Sequence, residues 1–174
     1  AASSGCVDIV RAFLADSRFD PNGRNKSQQT ALICAAQNGH LEVVQLLLAD
    51  SRVDVSAHDE NRWTPLISAA SYGCVDVVRA FLADSRFDPN MRDKSQRTPL
   101  ICASRNGHLE VVQILLADSK VDVNGHDENQ WMPLTNAASY GRVDVVRVLL
   151  ADSRVDPNSR DKSQQTPLIC AARN

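Results

Sequence analysis

Glycines at positions 5, 39, 73, 107 and 141 recur every 34 residues without a slip. A fixed period of that length marks stacked supersecondary units rather than one globule around a central core. A longer period lies over it. Residues 39–106 and 107–174 differ at 15 of 68 positions, so the duplicated unit is a pair of repeats. One member of the pair carries SQQTPLICAARN-type sequence and the other ENRWTPLISAASY-type sequence.

Each unit reads as two short helices. Thr64 followed by Pro65 is an N-cap and a first-turn proline, whose missing N–H costs nothing there. The helix continues through Leu66, Ala69 and Ala70, and Gly73 closes it in the left-handed conformation that glycine tolerates. The next stretch, GCVDVVRAFLADS, sets Val75, Val78 and Leu82 on one stripe, widened by Val77 and Phe81, with Asp76 and Arg79 toward water. RFDPNMRDKSQR then reads as an extended turn segment. Helices of about ten residues are unstable alone in water. Each must bury its apolar stripe against the next copy, and the alanine pair lets that copy come close. The expected fold class is an all-α repeat solenoid, helix–turn–helix pairs joined by short β-hairpin-like loops.

The landmarks TPLISAASYG (64–73), GHLEVVQLLLAD (39–50) and VDVNGHD (121–127) resemble the ankyrin repeat, and the resemblance extends over essentially the whole chain. It implies one domain over 1–174, with full repeats at 25–58, 59–92, 93–126 and 127–160 and partial repeats at 1–24 and 161–174. The chain is expected to begin near the end of a first helix and to be part of a longer array. Three features depart from the family. The period is 34 rather than 33, through one extra residue in the ADSRVDVN stretch. The family histidine after threonine-proline-leucine is Ile33, Ile67, Ile101, Thr135 or Ile169. The tip glycine is Gln28, Arg62, Gln96, Gln130 or Gln164, residues disfavoured at positive φ, so the family's hairpin geometry does not carry over automatically.

The resemblance also implies a role: a protein-interaction scaffold that binds a partner protein on the surface formed by hairpin tips and first helices. The tip positions before each Thr-Pro step are Gln29, Trp63, Arg97, Trp131 and Gln165, and those after the alanine pairs include Gln37, Tyr72, Arg105 and Tyr140. Every Trp and Tyr of the chain falls in this set, whereas Leu, Val, Ile, Ala and four Phe are expected to build the core. Trp and Tyr supply large contact area at low entropic cost. Trp63, Tyr72, Trp131 and Tyr140 are therefore expected to form two aromatic contact points about 20 Å apart, with Arg97 and Arg105 between them and Gln29 and Gln37 beside them. The competing reading is that the tryptophans staple neighbouring repeats, or that their spacing records duplication alone. A structural spacer, an accessory domain of a larger enzyme or channel, and an engineered repeat scaffold are the alternatives at the level of function.

Other classes find little support. Nineteen basic against 21 acidic residues give a net charge of −2, without the basic excess of a nucleic-acid or membrane-surface binder. No apolar run approaches the roughly 20 residues of a membrane span, and no small-molecule substrate or cofactor is expected. The five cysteines point to a reducing, cytoplasmic setting, because equivalents two layers apart lie too far from each other to pair. Cys34, Cys102 and Cys170 are expected to be small buried apolar residues. His58-Asp59-Glu60 recurs as His126-Asp127-Glu128, yet adjacent turn residues project apart and do not converge as a metal requires. No phosphate loop, nucleophile elbow or paired-carboxylate cleft is present, so the chain is not expected to be an enzyme. Met132 stands where the other first helices begin with Thr, which removes a cap worth about 1 kcal/mol. On that ground alone Met132→Thr should raise the melting temperature.

Overall fold

The computed structural model describes residues 4–173. Among these residues ten helices follow one another: α1 (Ser4–Ala15), α2 (Ala31–Gln37), α3 (Leu41–Ala49), α4 (Pro65–Tyr72), α5 (Val75–Ala83), α6 (Pro99–Asn106), α7 (Leu109–Ala117), α8 (Pro133–Ser139), α9 (Val143–Ala151) and α10 (Pro167–Arg173). Among the described residues there are no strands. The even-numbered helices pack α2 on α4 on α6 on α8 on α10, and the odd-numbered ones form a second row from α1 to α9. The chain is a two-layered all-helical solenoid. α1 occupies a second-helix position and runs through Gly5 without a break. The first-helix end expected before it lies outside the described residues.

The caps fall where the sequence places them. Oγ1 of Thr30, Thr64 and Thr98 accepts from the backbone N–H of Ile33, Ile67 and Ile101 at 3.4, 3.2 and 3.3 Å. Gly39, Gly73, Gly107 and Gly141 take φ of 69°, 73°, 83° and 65° between the two helices of their pairs. Between the layers sits the core, built from the alanines and leucines of the first helices and the Val–Val steps of the second; Ile33, Ile67 and Ile101 are buried as well. On α5 the buried stripe centres on Val77, Val78 and Phe81, with Val75 and Leu82 only partly covered. Phe81 and Phe87 pack with ring centroids 4.4 Å apart. The expectation that all four Phe belong to the core is corrected: Phe13 and Phe19 are exposed, stacked on each other outside the inter-helix layer.

Met132 is the N-cap of α8 and makes no side-chain cap bond, as its sequence position predicts. Its side chain, however, is buried at 6% exposure. Met132→Thr gains a cap worth about 1 kcal/mol and gives up a comparable or larger burial of about 1.5–3 kcal/mol. The rise in melting temperature expected from the cap alone is thereby cancelled, and calorimetry should record no increase.

The stretch in which the period is lengthened builds an inter-repeat staple. After four of the five second-position helices an Asp-Ser-Arg turn lets the arginine clasp its own aspartate at 2.6 Å, as in Arg52–Asp50, Arg86–Asp84 and Arg154–Asp152. The same guanidinium reaches back to the preceding repeat: Arg52 to the Leu14 carbonyl, Arg86 to Leu48 and Arg154 to Leu116, at 2.8, 2.8 and 2.6 Å. Those carbonyls end the preceding second helices, where acceptors are left over and positive charge is favoured. Lys120 holds the fourth position and donates only its backbone N–H, to Asp118. Lys120→Arg should restore the missing staple and add about 1 kcal/mol; denaturant melts that show no gain would count against the staple.

The clasp has a pH signature. The Arg52 side chain, hydrogen-bonded to Asp50, holds that carboxyl down at about 2, and the equivalent contacts lower Asp16, Asp84 and Asp152. A carboxyl with a lower folded-state than unfolded pKa stabilises the fold above about pH 4, and that contribution is lost as pH falls through the folded value. The melting temperature should drop between about pH 4 and 2. Asp50→Asn should flatten part of that drop, and an unchanged profile would contradict the assignment.

Candidate protein-binding face

The hairpin tips are positioned by buried carboxylates. Asp59, Asp93, Asp127 and Asp161 are 8%, 1%, 7% and 6% exposed. Asp93 accepts the Arg97 N–H on Oδ1 and the Arg97 Nε–H on Oδ2. Oδ1 of Asp59, Asp127 and Asp161 accepts two backbone N–H groups across the tip, such as Asn61 and Trp63 on Asp59 at 2.8 Å. Asn25 does the same in the first tip with Ser27 and Gln29. Neighbouring tips are joined by backbone bonds from Glu60, Lys94, Glu128 and Lys162 N–H to the Ser27, Asn61, Ser95 and Asn129 carbonyls. This network holds Gln28, Arg62, Gln96, Gln130 and Gln164 at φ of 61–64° without glycine. The left-handed tip survives the substitutions because buried hydrogen bonds outweigh a local penalty of about 1–2 kcal/mol.

On this frame the tip side chains meet the first helices. Trp63 packs edge-on against Tyr72, centroids 6.3 Å apart at 67°, and the Arg97 guanidinium of the next repeat sits 5.9 Å above the Trp63 ring. Arg97 is anchored by Asp93 at 2.7 Å. In the second copy the arrangement differs. Trp131 donates from Nε1 to Asp161 Oδ2 at 3.1 Å, while Arg105 of the preceding repeat lies 4.7 Å over the Tyr140 ring. Gln29 donates to Gln37 Oε1 at 3.2 Å. The eight residues singled out in the sequence therefore fall into three local groups: Gln29 with Gln37; Trp63, Tyr72 and Arg97; Arg105 with Tyr140. Trp131 is tied instead to the next tip. Tyr72 and Tyr140 remain 53% and 42% exposed, whereas the two tryptophans are half-buried.

A cavity of about 230 Å³ opens beside Trp131, lined by Ser139, Gln165, Cys170 and Arg173. Gln165 there replaces the arginine that covers Trp63 one double repeat earlier. Arg173 was not singled out from sequence, although its register with Arg105, 68 residues earlier, was available as a signal.

The remaining candidates resolve simply. Cys102 is buried, and loss of water pushes its thiol up to about 12, which leaves no thiolate nucleophile at neutral pH. Cys170 is buried as expected; Cys34 is only half-buried and points its thiol at Gln29 Oε1, 3.8 Å away. The Asp59 carboxylate is occupied by tip amides, and His58 Nδ1 lies 3.0 Å from the Asp59 carbonyl. Among the described residues no three His, Cys, Asp or Glu side chains converge on one point. None of their helices is long and apolar enough to cross a membrane.

A family model for ankyrin repeats (3 copies) matches residues 1–93, 50–127, 81–161 and 119–174, which together cover the chain. The chain belongs to the ankyrin repeat family. No curated protein sequence matches it. Ankyrin repeats are in general protein–protein interaction modules, typically non-enzymatic. In this ankyrin array the aromatic and arginine side chains share the tip and first-helix side, while the second helices turn Asp76, Arg79, Glu110 and Arg147 to water.

Proposed function

We propose that this ankyrin array holds a partner protein against the face made by its hairpin tips and first helices, with Trp63, Tyr72, Arg97, Arg105, Trp131 and Tyr140 as the contact residues and Gln29 and Gln37 at one end. One observation carries the reading: Tyr72 and Tyr140 stay largely exposed although each is pinned by a neighbour, Trp63 and Arg105 respectively. An exposed aromatic already fixed in one orientation loses little entropy on binding and contributes its full area. Stapling is the second reading, favoured by the cross-repeat contacts of Arg97 with Trp63 and of Trp131 with Asp161. The two are compatible at the tryptophans but not at the tyrosines. The free thiols of Cys34, Cys74 and Cys102 support a reducing, intracellular setting.

The test is site-specific crosslinking in cells, with a photoreactive amino acid placed at 72 or 140 and, on the opposite side, at 79 or 147. Capture of the same protein from 72 and 140 but not from 79 and 147 supports the face. Capture from the second-helix positions alone overturns it.

A further inference from the structure

Within the same face, the row of positions next to the caps and the alanine pairs carries only positive charge, while Glu60 and Glu128 stand at the outer edge of the tips. Its positions before each cap and after each alanine pair hold three arginines and no Asp or Glu, in a chain whose net charge is −2. Arg97 is already neutralised by Asp93, itself 1% exposed. Arg105 and Arg173 make no ion pair among the described residues. The Arg105 guanidinium carbon lies 4.7 Å over the Tyr140 ring, and a guanidinium held on an aromatic ring keeps its N–H donors for a carboxylate. Arg173 lines the polar cavity beside Trp131. One double repeat, 68 residues, separates the two arginines.

From this we infer that the partner's bound segment is an extended acidic peptide, two of whose carboxylates seat on Arg105 and Arg173 while its apolar side chains lie against Trp63, Tyr72 and Trp131. The inference rests on the proposed function and adds the chemistry of the partner. Two repeat layers are about 20 Å, and an extended chain advances about 3.3 Å per residue, so the two acids should stand about six residues apart. A single-stranded nucleic acid, the other ligand that stacks on aromatics, fits less well. It would bring several phosphates across that distance against two arginines without an ion pair, where the peptide brings two carboxylates.

The experiment is fluorescence titration of the intact array with a short synthetic peptide carrying two glutamates about six residues apart around a leucine–tyrosine spacer. Its glutamine-substituted twin and a single-stranded oligonucleotide serve as comparison ligands. The expected result is tighter binding of the glutamate peptide, weakening with added salt, and an affinity loss of about tenfold in each of Arg105→Gln and Arg173→Gln. Arg105→Lys, which keeps the charge but loses the fork, should fall between. Arg173 is exposed and Arg105 half-buried, and circular dichroism checks that the variants stay folded. Equal affinity for the two peptides, no measurable binding of either, or tighter binding of the oligonucleotide overturns the inference. The two claims fail separately. Crosslinks at 72 and 140 that persist unchanged in Arg105→Gln keep the binding face and remove the acidic partner. A glutamate peptide that binds through both arginines while the cellular partner crosslinks only at 79 and 147 does the reverse.

Discussion

Gly73→Ala should lower the stability of the array by about 3 kcal/mol, whereas Gly141→Ala should cost only about 1 kcal/mol. Both glycines have positive φ, 73° and 65°, so alanine brings the same left-handed penalty to each. Their surroundings separate them. A Cβ on Gly73 would stand 2.6 Å from Nδ1 and 3.0 Å from Cγ of His108, while a Cβ on Gly141 would meet nothing within 4 Å. His108 cannot move aside freely, because its Nε2 is 2.9 Å from the Ser71 carbonyl of the repeat before. Making room for the methyl group therefore breaks an inter-repeat bond as well as straining a turn. Denaturant unfolding of the two variants measures the difference. Equal costs would mean that His108 does not join the repeats.

The second large effect runs the other way. Replacing Gln28, Arg62, Gln96, Gln130 and Gln164 together by glycine should stabilise the chain by about 3 kcal/mol. Relief of about 1–2 kcal/mol of left-handed strain at each tip exceeds the 0.5–1 kcal/mol that glycine returns to the unfolded chain. All five side chains are exposed, so little packing is lost. The tips lie about 10 Å apart, far enough for the single effects to add. A melting temperature that stays level or falls in the five-fold variant would show that the tips carry no such strain.

The tips also show where sequence reasoning stopped. A residue-by-residue prior opposes positive φ at Gln or Arg, and only the Asp or Asn side chain that accepts the tip N–H groups shows why that prior loses. The period, the threonine caps and the inter-helix glycines are legible because each is a local signal that recurs along the chain, the cap failing only at Met132. The Asp-Ser-Arg turn was visible as an inserted residue, but its acceptor lies 38 residues earlier, as for Arg52 and Leu14. No local pattern marks such a partner. Phe13 and Phe19 were assigned to the core by composition, although Phe81 alone of the four is fully buried. At the candidate site, the sequence put the aromatics and arginines on one side. It did not reveal that Arg97 covers Trp63 and Arg105 covers Tyr140, since both pairs cross a repeat boundary.

The tyrosines offer the cleanest separation of binding from stacking, because they are exposed where the tryptophans are half-buried. The measurement is the affinity of the Tyr72→Ala/Tyr140→Ala double variant for the protein crosslinked at those positions, taken together with its melting temperature. The binding face predicts an affinity loss of about tenfold or more with an almost unchanged melting temperature. Undiminished affinity accompanied by a collapse in stability would contradict it.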